Sequence, residues 1–180
     1  MIFGIAIAVV FLLGVLTLTS YVERVYAEQG KFLSREFQEN LESFEANVEP
    51  KLGVSAERAS LSMSVLTQLS TAGIALLLGY ELFAAQPGQL LGLRITEVIL
   101  ALVLVVVMFN RLMPHIFFSR TRGDWLIRYV PVLRTLIYLA LPVTLIVSFF
   151  ISVATLTEES LPEEPEHPSE AVDALIEAGQ

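Results

Sequence analysis

The sequence predicts an all-α, polytopic membrane protein, and three observations carry that expectation. Hydrophobic residues make up 54% of the 180-residue chain and charged ones 17%, whereas an ordinary soluble domain is about 25% charged; the deficit points to a lipid environment rather than to a larger core. Four apolar stretches with little or no charge recur along the chain, and the Lys and Arg residues fall in blocks between them. The net charge of −8 belongs to one segment. Residues 1–155 balance eleven basic against eleven acidic side chains, while residues 158–180 hold eight acids and no Lys or Arg. The low pI therefore describes a tail and says nothing about the partners of the body; no nucleic-acid partner is expected. With no cysteine in the chain, disulfides, thiolate catalysis and cysteine metal sites are excluded.

The spans follow in order. Residues 1–20 and 59–80 carry no charge at all, and a helix needs about 20 residues to cross the hydrocarbon core. Residues 95–110 carry only Glu97 between Arg94 and Arg111; this third span is long enough if it starts near Leu91 and Arg94 snorkels outward. Residues 135–157 are uncharged and contain Pro142. Five basic residues (Arg24, Lys31, Arg35, Lys51, Arg58) lie between the first two spans, Arg94 alone lies near the next connection, and five more (Arg111, Arg120, Arg122, Arg128, Arg134) follow the third. By the positive-inside rule this places residues 21–58 and 111–134 in the cytoplasm, with Met1 and the 81–93 loop outside. The fourth stretch admits two readings. A full crossing sends the acidic tail outside; a hairpin kinked at Pro142 and lying in the inner leaflet keeps it inside. Val25-Tyr26-Ala27 resembles a signal-peptide cleavage site. However, no basic residue precedes the apolar run and Glu23 and Arg24 interrupt the expected neutral region, so a retained anchor is expected.

Residues 21–48 read as a cytoplasmic helix extending the first span: Val25, Phe32, Phe37, Leu41, Phe44 and Val48 recur at near-helical spacing, acids fill the other face, and Pro50 and Gly53 end it. Residues 119–125 form a basic turn, with Trp125 and Tyr129 suited to headgroup depth and contact with anionic lipid. Pro162, Pro165 and Pro168 stand three apart among acids, which favours an extended linker. Ser169 then caps a short helix whose Val172, Leu175 and Ile176 share a face. That helix is too small to be stable alone, so a continuation of the chain or a partner is expected to cover it.

Polar groups at membrane depth carry the candidate chemistry. Ser60, Ser64, Thr67 and Thr71 form one stripe on the second span, flanked by Gln68 and Ser70. Such a stripe serves helix packing or lines a polar pathway. Thr17, Thr19, Ser20 and Glu23 end the first span; Asn110, Arg111, Pro114 and His115 end the third. Glu23 paired with Arg111 would neutralise both. His115 and His167 are isolated, and nucleophile elbows, phosphate-binding loops and zinc-protease motifs are absent. No convergent acid, base and nucleophile emerges, so enzymatic activity is not expected.

Four features resemble the membrane domain of the CorC/cyclin-M (CNNM) magnesium-transporter family, whose bacterial members are often called hemolysin-like. Ser20-Tyr21-Val22-Glu23 is similar to that family's Ser-Ala-x-Glu. A cytoplasmic helix leads to a second span rich in small polar residues. Arg111-Leu112-Met113-Pro114-His115 is similar to its Glu-x-x-Pro-Lys. Residues 133–156 and the acidic tail resemble juxtamembrane belt helices and the lead-in to a cytosolic half. The resemblance implies a homodimer in the bacterial inner membrane with three transmembrane helices, a Pro-kinked juxtamembrane belt hairpin and a cytoplasmic C-terminus. It implies a membrane domain over residues 1–157, an acidic linker over 158–180, and a regulatory CBS-type module beyond. It further implies a Mg²⁺ site with Ser20, Thr67, Ser70, Thr71 and Asn110 as oxygen ligands. Two departures bear on that site: Arg111 replaces the family's acid, and Ile74, if Gly73 is the matching glycine, replaces its asparagine. At ~5 Å and an effective dielectric of about 20, a guanidinium and a divalent ion repel by roughly 6–7 kcal/mol before screening. The functional expectation is a divergent divalent-cation transport domain; the alternative is a non-transporting scaffold that anchors and dimerises a cytosolic module.

Overall fold

The structure is a computed structural model that describes residues 2–29, 35–85, 91–121 and 123–158. It is almost entirely helical over these residues, with no strand among them. Seven α-helices follow in order: α1 (Ile2–Glu28), α2 (Arg35–Asn47), α3 (Glu49–Leu52), α4 (Ala56–Ala85), α5 (Leu91–Val105), α6 (Met113–Arg120) and α7 (Val130–Glu158). A π-helical segment (Val106–Leu112) joins α5 to α6, and a 3₁₀ turn (Asp124–Tyr129) leads into α7. Four stretches are long and apolar enough to cross a membrane: Phe3–Glu28, Ala56–Glu81, Gly92–Arg120 and Asp124–Thr155.

The chain divides into two compact units, Met1–Thr144 and Leu145–Gln180. In the first, α1 and α4 form the central pair. Gly73 permits their approach, since a Cβ there would lie 3.2 Å from the Leu12 side chain. The core gathers at one end of this pair rather than along its length. Tyr21, Val22 and Val25 of α1, Leu41, Phe44 and Val48 around α2, Leu52 of α3, Met63 and Leu66 of α4, Phe118 of α6 and Leu126, Leu133 and Ile137 form one buried cluster. Tyr21 sits between the rings of Phe118 and Trp125, with centroids 6.4 and 5.0 Å away. Away from that end, apolar side chains face outward: Phe3, Ile7, Leu76, Leu100 and Leu104 are all exposed, as expected where lipid rather than protein covers them. Burying the apolar face of α2 is the part of this packing that removes surface from water, worth about 1.5–3 kcal/mol for each fully covered large side chain.

Two sequence expectations require correction. The helix expected over 21–48 is not one element: α1 ends at Glu28, Gln29 lies in a turn whose N–H bonds the Tyr26 carbonyl at 3.3 Å, and α2 begins at Arg35. The turn lets α2 fold against α1, placing the Phe44 ring edge-on to Tyr26 at 5.2 Å. The hairpin expected around Pro142 is a single helix, Val130–Glu158, running through the proline. Proline removes one backbone hydrogen bond, a loss that apolar membrane helices tolerate when neighbours and hydroxyl side chains satisfy the freed groups. Two residues on, Thr144 Oγ1 donates to the Ala140 carbonyl at 3.0 Å and lies 3.1 Å from the Ser62 hydroxyl, tying α7 to α4 beside the proline. In the second unit, whose helix is described to residue 158, Leu145, Ile146, Phe149, Phe150 and Ile151 are exposed. Arg122, residues 30–34 and the linker and short helix expected over residues 159–180 lie outside the described residues.

Candidate functional site

Pro114 shapes the site. It has no N–H to give the Asn110 carbonyl four residues back, and its ring clashes with that carbonyl in an α-helix. The backbone answers by widening: over Val106–Leu112 the helix takes the i→i+5 pattern, and the Met113 N–H bonds the Met108 carbonyl. Such wide turns cluster at functional sites. This one directs Asn110 toward α1, where Ser20 Oγ donates to Asn110 Oδ1 at 3.0 Å.

The Ser20–Asn110 contact forms part of a pocket of ≈ 320 Å³, lined also by Glu23, Arg24, Ala27, Glu28, Thr67, Gln68, Arg111 and Pro114. Three helical elements meet here. Thr67 of α4 is buried and donates to Thr19 Oγ1 at 3.1 Å, and Thr19 in turn donates to the Val15 carbonyl at 3.0 Å. This chain of hydroxyls holds α4 to α1 beside the pocket. Arg24 lies 3.9 Å from Glu28 one turn later, and its guanidinium sits 6.0 Å from the Phe118 ring centre. Glu23 and Arg111 both line the pocket, but no ion pair joins them among the described residues. Formal charge in the pocket therefore balances, two acids against two guanidinium groups.

Of the residues singled out from sequence, the pocket gathers Ser20, Thr67 and Asn110 and leaves out Ser70 and Thr71. Ser70 is buried elsewhere on α4, and the Thr71 hydroxyl is taken up by its own helix, donating to the Thr67 carbonyl at 2.8 Å. Ile74 is fully buried. His115 is exposed and lies outside the pocket, and no group of three or more His, Cys, Asp or Glu side chains suited to a metal occurs among the described residues. Any metal held here would rest on hydroxyl and amide oxygens with at most the Glu23 and Glu28 carboxylates.

Asn40 was missed by sequence reasoning. This fully buried side chain accepts from the Tyr21 hydroxyl at 2.9 Å and donates to the carbonyls of Phe118 and Thr121 at 3.1 and 3.2 Å. It thereby ties α2 to the end of α6, the helix that carries Pro114. Beside it, Ser43 donates to Asp124 at 2.9 Å. The available signal was positional: Asn40 stands four and eight residues before Phe44 and Val48, on the apolar face of an amphipathic helix.

No family model, curated protein or solved structure matches the chain. The class of protein is set by the helices themselves: four of them have the length and composition of membrane spans, and the polar pocket lies at the protein-covered end of the α1–α4 pair.

Proposed function

We propose that the chain is a cation-handling membrane domain, a divergent relative of the CNNM/CorC magnesium transporters, and that the ion occupies the pocket at Ser20, Thr67 and Asn110. The observation that carries this reading is the convergence of oxygen-bearing side chains from three spans on one pocket that Glu23 also lines. Two details support it. Ser20 Oγ and Asn110 Oδ1 are 3.0 Å apart, matching the ~2.9 Å edge of an octahedron with 2.0–2.1 Å bonds. A volume of ≈ 320 Å³ also has room for about ten waters at roughly 30 Å³ each, so Mg²⁺, which dehydrates reluctantly, fits with part of its hydration shell. Retained water is what makes a nearby guanidinium tolerable, by raising the local dielectric.

Mg²⁺ flux into proteoliposomes tests the proposal. Ser20→Ala and Asn110→Ala are expected to lower flux about tenfold each, the equivalent of one lost ligand contact of roughly 1.4 kcal/mol. Thr71→Val, outside the pocket, is expected to leave it unchanged. Wild-type flux in both pocket variants would remove the reading.

Arg111 in the pocket lining favours the scaffold as a second reading, in which a built-in cation replaces the ion and the domain anchors and dimerises a cytosolic module. Saturable Mg²⁺ binding that appears only in Arg111→Glu supports it; binding by wild type overturns it.

The proposed topology keeps the 21–58 and 111–134 segments in the cytoplasm of a bacterial inner membrane and Met1 outside, by the distribution of Lys and Arg. The uninterrupted course of α7 through Pro142, uncharged over residues 135–157, supports a fourth crossing over three crossings with an in-plane belt. The exposed apolar side chains of Leu145, Ile146, Phe149, Phe150 and Ile151 belong within the bilayer, and a fourth crossing would place the acidic tail outside. Thiol labelling of single cysteines at positions 120 and 165 in intact cells distinguishes the two, since a belt leaves both unreachable.

A further inference from the structure

A second cavity, separate from the polar pocket, opens along α1. It is a groove of ≈ 770 Å³, within the ~300–1,000 Å³ range of ligand sites. Its floor is backbone at Gly14, where a Cβ would meet nothing within 4 Å, and Phe11, Phe109 and Phe117 stand along its sides. It follows α1 from Val10 to Leu18, about 12 Å at 1.5 Å per residue. One end differs from the rest. There Thr121, Trp125 and Tyr129 line it, and Trp125 Nε1 donates to Thr121 Oγ1 at 3.1 Å. Trp and Tyr favour headgroup depth because each joins an apolar body to a polar tip. The exposed side chains of Arg120 and Arg128 flank this end in sequence. The acid among them, Asp124, accepts a hydrogen bond from Ser43 at 2.9 Å.

We infer that this groove binds one acyl chain of an anionic phospholipid, with the phosphate at the Trp125 end beside Arg120 and Arg128. An apolar slot with amphipathic rings at one end, and with exposed arginines next in sequence to the Thr121 and Tyr129 that line that end, complements such a lipid in both hydrophobicity and charge. A second copy of the chain fits less well: related by an axis along the membrane normal, it would bring the arginines of both copies to the same depth, where like charges oppose association.

Trp125 is the only tryptophan, so its fluorescence reads the groove directly. The protein is reconstituted in phosphatidylcholine vesicles containing increasing fractions of phosphatidylglycerol or phosphatidylcholine with dibrominated acyl chains, which quench tryptophan on contact. Wild type is expected to reach half-quenching at a lower fraction of the brominated anionic lipid, by about fivefold for each arginine engaged. Gly14→Leu fills the floor without a backbone clash and replaces a poor helix former by a good one; it is expected to abolish that difference. Arg120→Gln combined with Arg128→Gln is expected to equalise the two lipids while chain quenching persists. Equal quenching by both lipids in wild type overturns the inference, as does a wild-type curve in Gly14→Leu. A change of oligomeric state in Gly14→Leu with the quenching curve preserved would assign the groove to a second copy and likewise overturn it.

Discussion

Gly123→Ala should destabilise the protein well beyond the cost of an ordinary turn substitution, and the structure separates the two parts of that cost. Gly123 has φ +76°, the left-handed region that costs an L-residue roughly 1–2 kcal/mol. A Cβ at this position also overlaps Asn40 Oδ1. Asn40 cannot yield freely, because its side chain is held by the Tyr21 hydroxyl and by the Phe118 and Thr121 carbonyls. Displacing it breaks buried hydrogen bonds whose polar groups then cost about 1–3 kcal/mol when left unmade. The sum is about 2–5 kcal/mol, or a melting temperature lower by roughly 4–20 °C for a chain of this size. Thermal unfolding in a single detergent, followed by Trp125 fluorescence, measures it. The Asn40→Ala background supplies the internal control: with the obstructing oxygen gone, adding Gly123→Ala should cost only the backbone part. A double-mutant cycle showing no coupling between the two positions, or a Gly123→Ala variant within about 0.5 kcal/mol of wild type, would refute this account of the junction between α2 and α6.

Two further outcomes follow from the contacts between helices. Thr67→Val removes the 3.1 Å bond to Thr19 while keeping the side-chain shape, and should cost about 0.6 kcal/mol and no more than about 1.7, the range measured for hydrogen bonds between membrane helices; equilibrium unfolding in mixed micelles checks it. Pro114→Ala restores an N–H opposite the Asn110 carbonyl and should let the wide turn relax, drawing Asn110 from Ser20. In a chain with no other cysteine, a Ser20→Cys/Asn110→Cys pair should then oxidise more slowly when Pro114→Ala is added than when the proline is kept, and equal rates would refute the role given to the proline.

Much of the helical layout was legible because a charge-free run of about 20 residues leaves the backbone few alternatives in lipid. α1, α4 and the helix beginning at Leu91 all fall where the apolar runs place them. Partners between helices were less legible. Thr67 and Thr71 share a stripe, yet one hydroxyl reaches α1 and the other turns back on its own helix, a choice made by what lies opposite. The Ser62–Thr144 contact joins positions 82 residues apart, beyond the reach of periodicity. Pro142 and Pro114 teach opposite lessons. The first was read as a hairpin apex and is passed by an unbroken helix; the second was recognised as closing the third span, but the widening it imposes on the preceding turn was not foreseen.

The wide turn before Pro114 also decides which way the end of that helix faces. Positions 94, 98, 102, 106, 110, 114 and 118 are each buried or half-buried, a recurrence of four where an α-helix repeats every 3.6. Left ideal, such a row would wander by about 40° at each step and carry Asn110 and Phe118 around toward the lipid. Under-winding between Val106 and Leu112 takes back part of that rotation. The segment thus acts as a phase joint: the lipid-facing composition of α5 can change without turning the Asn110–Phe118 side of the helix away from its partners.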